Sequence, residues 1–120
     1  MIEDQAIIKI IPQDESYRRR VRKLSKAIDR EVLHRDGEVF SVVFLNRRFF
    51  FFKAVTWITN KDHRQKGYAS ECLEKIKKRH NLLFARIWTN NKTSYEFAKK
   101  NGFKKIGSIP KIGTLLYWKR

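Results

Sequence analysis

The stretch NKDHRQKGYAS, Asn60 to Ser70, gathers five charged or ionisable side chains ahead of and around one glycine, directly after the apolar run FFFFKAVTWIT. An apolar, β-rich run followed by a basic loop and then by helical periodicity reads as strand, loop, helix. The first amides of a helix have no partner within it, and the helix dipole adds positive potential at that end. Gly67 lets the backbone approach a ligand without an intervening Cβ, while Arg64 and Lys66 supply charge that suits a pyrophosphate. The same composition also fits an ordinary surface turn entering a helix, so the rest of the chain has to decide.

Downstream, Ala69, Cys72, Leu73 and Ile76 recur at helical spacing, which predicts a helix from Tyr68 to about Lys78 with these residues on its buried side. LLFARIWTN then reads as a strand and KTSYEFAKKNG as a short helix from Lys92, ended by Asn101-Gly102 in a left-handed turn. Two final strands, Phe103 to Ser108 and Thr114 to Lys119, are joined across Pro110 and Gly113. Upstream, EVLH and EVFSVVFL flank Arg35-Asp36-Gly37, a hairpin signal, and a second turn is expected at Asn46-Arg47. AIIKII, Ala6 to Ile11, reads as a strand closed by Pro12, and Asp14 to Asp29 as a helix capped by Asp14 with Tyr17, Val21, Leu24 and Ile28 inward. The expected order is β-α-β-β-β-α-β-α-β-β.

At 120 residues with 42% hydrophobic content, the chain is expected to form one domain, residues 1–120, around one core. No apolar run approaches a membrane span and no signal-peptide pattern opens the chain, so a cytoplasmic protein without membrane attachment is expected. Cys72 falls in an apolar helical stripe and reads as a buried structural thiol. His34, His63 and His80 lack companions at ligand spacing, and no metal is expected. The 28 Lys and Arg against 12 Asp and Glu give a net charge of +16, a field that draws polyanions: nucleic acid, an anionic surface or an acidic protein. Charge by itself names no reaction.

Arg64-Gln65-Lys66-Gly67-Tyr68-Ala69 resembles the R/Q-x-x-G-x-G/A signature of the GCN5-related N-acetyltransferase (GNAT) superfamily. Asn91, Ser94, Phe97, Lys100, Gly102 and Phe103 match the spacing of that family's second segment, N-x-x-A-x-x-F-Y-x-K-x-G-F. The resemblance covers nearly the whole chain. It implies an α/β fold with a mixed, mostly antiparallel sheet, helices on both faces, and a splay between the fourth and fifth strands. It also implies acetyl-CoA or another acyl-CoA as cofactor: main chain around Trp57, Ile58 and Thr59 on the pantetheine, Arg64, Gln65, Lys66, Gly67, Tyr68 and Ala69 on the pyrophosphate, and Asn91 and Ser94 on the cofactor arm. An acceptor amine would attack the thioester directly, helped by proximity and by a backbone N–H near Ile58 or Thr59.

Ala98 stands where the family often has the tyrosine that protonates the departing thiolate, which leaves Tyr95, one turn earlier, as the candidate acid, with Tyr68 and Tyr117 behind it. The strand KAVTWIT carries no carboxylate, leaving Glu31, His34 or an ordered water as base. Only about 17 residues separate the first two expected strands, a small lid that suits a macromolecular acceptor. Arg18, Arg19, Arg22, Arg47 and Arg48 are candidate contacts to a phosphate backbone, and Phe49 to Phe52, Trp57 and Trp88 offer rings that serve either stacking or the core. Three functions follow: an acyltransferase acting on DNA or RNA bases, resembling phage Mom-type DNA-modifying proteins; a protein or peptide N-acetyltransferase drawn to acidic partners; and a non-catalytic nucleic-acid-binding module on the same fold.

Overall fold

The computed structural model describes residues 4–48 and 52–120. Two short helices, α1 (Asp4–Ile8) and α2 (Tyr17–Ser25), lead into strands β1 (Asp29–Arg35), β2 (Glu38–Arg48) and β3 (Phe52–Thr59). A 3₁₀ turn (Lys61–His63) precedes α3 (Tyr68–Lys77), followed by β4 (Leu82–Ile87), α4 (Lys92–Lys100), β5 (Lys104–Ile109) and β6 (Gly113–Lys119). The strands form one sheet in the order β1-β2-β3-β4-β6-β5, antiparallel throughout except between β3 and β4.

The β1–β2 hairpin turns where the sequence says it should. Asp36 (φ 52°) and Gly37 (φ 82°) both take positive φ, as a two-residue turn matched to strand twist requires. Strand β2 is buried on both faces, and its alternation separates two cores. Val43 and Leu45 pack with Cys72, Leu73 and Ile76 of α3 and with Ala98 of α4; Val42 and Phe44 pack with Ile7, Ile11 and Leu24 beneath α1 and α2. Helices on both faces of a mixed sheet are therefore observed, as expected.

Three expectations are corrected. Ala6 to Ile11 is not a strand: α1 and the turn after it bury Ile7 and Ile11, four residues apart, against β2. The β-branched content of the run is overridden because that spacing places one apolar edge on the sheet face. The helix expected from Asp14 to Asp29 is shorter, with Asp14 shaping the turn before it by accepting the N–H and O–H of Ser16. Beyond Ser25 the chain joins the sheet, Ile28 N–H donating to the Leu45 carbonyl while the Ile28 side chain is 45% exposed. Asn46-Arg47 is not a turn, because β2 continues through both to Arg48. Asn46 is held there by pairing with Ala54 and by donating its side-chain amide to the Lys23 carbonyl. The stacking expected of Phe49, Phe50 and Phe51 lies outside the described residues; Phe52 meets Phe84 edge to face at 4.5 Å.

Cys72 is 3% exposed and burial pushes its thiol up to about 11. Its thiolate fraction at pH 8 is therefore very small. A thiol-reactive disulfide reagent at that pH is expected to leave the folded protein unlabelled over a time in which the urea-unfolded chain is fully labelled; equal rates would mean the α3 face opens readily.

Candidate active site

Parallel strands β3 and β4 are paired in register at Ala54 and Phe84, and no register pair joins them beyond that point. Both strands run on, β3 to Thr59 and β4 to Ile87, while β4 stays paired on its other edge with β6 as far as Ile87–Thr114. Trp57 stands at the opening, its ring 4.8 Å from that of Phe97 on α4 and 6.3 Å from that of Phe103. The expected splay is thus present between β3 and β4, which are the third and fourth strands because the N-terminal segment is helical.

The splay opens to both faces of the sheet. One cavity, about 800 Å³, runs from Trp57, Ile58 and Thr59 along His63–Ser70 and is closed on its far side by Asn91, Ser94 and Phe97. A smaller one, about 100 Å³, lies on the α2 side between Thr56, Trp57, Arg86 and Trp88. Arg20, Trp57, Asn91 and Ser94 border both, so the two cavities adjoin at the splay and together form its passage.

The 60–67 loop is anchored at its base and open at its tip. Asn60 ties it to β2 through its N–H to the Phe40 carbonyl and its side-chain amide to the Val39 carbonyl. His63 stacks on Phe40 at 4.0 Å and meets the Glu38 carboxylate at 3.1 Å, and Tyr68 stacks on the same Phe40 ring. Gln65 (φ 63°) and Gly67 (φ 78°) are both left-handed, bending the chain in the manner of backbone nests whose N–H groups converge on an anion. A Cβ built on Gly67 would meet no protein atom within 4 Å, so the space over the loop belongs to the groove. Among the described residues, no protein acceptor is paired with the backbone amides of residues 64–69. An anionic, extended ligand therefore fits this cradle.

The eleven residues expected around a cofactor, Trp57 to Thr59, Arg64 to Ala69, Asn91 and Ser94, all border the larger cavity. Asn91 has a second task, since its side-chain oxygen accepts the Ser94 N–H and caps α4, leaving only its NH₂ to donate. Of the candidate acids and bases only Tyr68 borders the larger cavity, stacked on Phe40; Tyr95, Tyr117, Glu31 and His34 line neither cavity. Tyr95 packs against the α3-side core, and Ala98, 0% exposed, is core as well. Glu31 accepts from Arg79 at 2.6 Å beyond the C-terminal end of α3, within a cluster where Asp29 takes Arg79 and His80. His34 is exposed on edge strand β1.

Of the candidate phosphate contacts, Arg19 lines the smaller cavity; Arg18, Arg22, Arg47 and Arg48 are exposed on α2 and at the end of β2. Lys23 belongs to the basic face that the sequence gives α2, but its meeting with Arg86, which faces the same cavity from β4, was not foreseen. Nothing in their local sequence marks that meeting, because it occurs only when α2 folds across the splay.

The chain matches no protein-family model and no curated protein sequence. Its fold is shared with solved structures at low identity. An N-acetyltransferase from Staphylococcus aureus superposes with a TM-score of 0.72 at 17% identity over 96% of this chain and 91% of its own. The PaiA N-acetyltransferase of Thermoplasma acidophilum, solved in complex with coenzyme A, gives 0.73 at 15% identity over 98% and 92%. A ribosomal-protein-alanine N-acetyltransferase from Brucella melitensis gives 0.67 at 16% identity over 95% and 91%. With six strands, one parallel junction and a splay at that junction, the chain has the fold of the GCN5-related N-acetyltransferases.

Proposed function

We propose that this protein is an acyl-CoA-dependent N-acyltransferase whose acceptor is a polyanionic macromolecule, a nucleic acid. The observation that carries the transferase reading is the passage through the β3–β4 splay, continuous with the open loop at Gly67. Loop amides of residues 64–69 with Arg64 and Lys66 would hold the pyrophosphate, the β4-facing edge of β3 from Trp57 to Thr59, whose other edge is paired with β2, the pantetheine, and the Asn91 NH₂ the cofactor arm. When bound, an acyl-CoA supplies a thioester carbonyl that an amine can attack. The chain's own contribution is then placement: a narrow passage in which an amine entering from the α2 side meets whatever lies along β3.

Among the described residues, no carboxylate lines the smaller cavity, and Asp14 alone borders the larger one. Hydrogen bonds from Ser16 hold the Asp14 carboxyl below the usual carboxylate range, which makes it a poor proton acceptor. A strongly basic acceptor amine, protonated at neutral pH, would find no carboxylate base here other than Asp14, only His63, held against Phe40 and the Glu38 carboxylate, and Lys23 among its neighbouring cations. An exocyclic amine of a nucleobase, uncharged already, would need none. The basic α2 surface and the net charge of +16 support the same acceptor.

A second reading, a binding module that has lost catalysis, is favoured by the burial of Ala98 and by the packing of the partly buried Tyr95 against the core, which leave no α4 tyrosine in the passage. Incubation with acetyl-CoA labelled in its acetyl group, in the presence of single-stranded DNA, duplex DNA, RNA and acidic proteins, separates the readings. Label in the nucleoside fraction after digestion is the expected result. Label in protein would overturn the acceptor, and acetyl-CoA binding with no transfer to any acceptor would establish the binding module.

A further inference from the structure

Among the described residues, four cations, Arg19, Arg20, Lys23 and Arg86, line the 100 Å³ cavity on the α2 side of the splay, and no carboxylate lines it. Three basic residues elsewhere have acidic partners among the described residues: Arg79 bonds Asp29 and Glu31, Arg30 bonds Asp4, and Lys77 bonds Glu74. In the cavity the opposite holds. Lys23 is driven down to about 8 by burial and then by repulsion from Arg48, Arg86, Arg19 and Arg20, and Arg86 is lowered by burial, Arg19 and Arg48. The charges named for these two groups among the described residues are all positive. Trp88, 43% exposed, stands at the mouth with the Arg86 guanidinium 5.2 Å and that of Arg19 6.0 Å from its ring, so the two arginines flank a fixed aromatic plate. A partly desolvated cluster of like charges destabilises the folded chain unless an anion joins it.

We propose that this cavity is a phosphate-binding subsite, in which Arg20, Lys23 and Arg86, with Arg19 beside Trp88, hold a phosphate group carried by the acceptor next to its reacting amine. The word acceptor rests on the transferase reading; the phosphate site stands without it. The subsite is separate from the Gly67 loop, which lies at the other end of the passage with its own cations Arg64 and Lys66. It also sets a substrate class. Multiply cationic amines are repelled from the cleft, whereas an amine with a phosphate close by, a phosphodiester in nucleic acid or a phosphomonoester on a nucleotide, supplies the missing charge.

The test is calorimetric titration with a single-stranded oligodeoxynucleotide, adenosine 5′-monophosphate and adenosine. The proteins are wild type, Gly67→Glu, whose loop is closed to phosphates, and the double variant Lys23→Gln/Arg86→Gln. The expected result is phosphate-dependent binding, absent with adenosine, that survives Gly67→Glu and weakens about tenfold or more in the double variant. The double variant should also melt at the same temperature as wild type or higher, because its substitutions relieve repulsion. Binding of the oligonucleotide alone assigns the phosphate to nucleic acid; equal binding of the mononucleotide assigns it to a small phosphorylated amine. Binding that vanishes in Gly67→Glu, that ignores the double variant, or that is missing altogether overturns the subsite. Acetyl-CoA titrated in parallel into wild type, Gly67→Glu and the double variant reports on the transferase reading, which requires binding lost in Gly67→Glu and kept in the double variant, so either can fail while the other stands.

Discussion

Acetyl-CoA is expected to bind the wild-type protein saturably and to lose about 100-fold or more in affinity, about 2.7 kcal/mol, when Gly67 is replaced by glutamate. Gly67 sits at φ 78° as the N-cap of α3, and the direction in which a side chain would grow is clear of protein atoms to 4 Å. A glutamate there meets little resistance from the fold beyond the strain of a left-handed residue, about 1–3 kcal/mol. Its carboxylate occupies the cradle and repels the pyrophosphate that the loop amides, Arg64 and Lys66 would otherwise hold. Gly67→Ala separates the two effects, carrying the backbone strain and a methyl group but no charge, and should bind with an intermediate loss. Calorimetry measures the affinity and thermal unfolding confirms that the variants are folded. Undiminished binding by Gly67→Glu would remove the loop from the site and the transferase reading with it.

The largest loss of stability is expected at Gly113→Ala. Gly113 opens β6 at φ 116°, and a Cβ built there would lie 2.5 Å from the Ile87 carbonyl oxygen and 3.0 Å from its carbon. Backbone strain of about 1–3 kcal/mol adds to an overpacking cost of about 1–3 kcal/mol, and the obstacle is main chain, which cannot rotate aside. Against a typical stability of about 5–15 kcal/mol this is a large fraction, and a fall in Tm on the order of 10 °C or more is expected. Gly107→Ala is the control: its φ is not positive, no atom lies within 4 Å, and its Tm should hardly move. Since β4 ends at Ile87, with Trp88 next to it at the mouth of the splay, Gly113→Ala should also weaken acetyl-CoA binding, and an unchanged Tm would show that β6 can shift away from β4 freely.

Much of this architecture was legible locally. Asp36-Gly37 demands positive φ, Ala69, Cys72, Leu73 and Ile76 mark one helix face, and the basic loop with Gly67 marks the start of that helix. Each of these signals is carried by neighbouring residues and obeys backbone sterics or a 3.6-residue period, so it survives without knowledge of the rest of the chain. The eleven expected cofactor residues follow from the same loop and its adjoining strand and helix, and they do border one cavity.

What the sequence alone determined, then, is the order of elements from β1 onward and the place of the loop. Tertiary structure alone decided the state of the N-terminal segment, the ends of the strands and the charge of the cleft. Ala6 to Ile11 has β-branched residues in helical as well as strand spacing, and only the availability of the β2 face selects the helix. Glu31 and Tyr95 were attractive for their chemistry, yet Arg79 claims one and the core the other, through contacts 48 residues apart in the first case. Arg86 is an ordinary residue of a strand until α2 brings Arg19, Arg20 and Lys23 across the splay. Electrostatic fields and cavities are sums over distant parts of the chain, so no local pattern encodes them; backbone conformation at a turn is local and is encoded where it occurs.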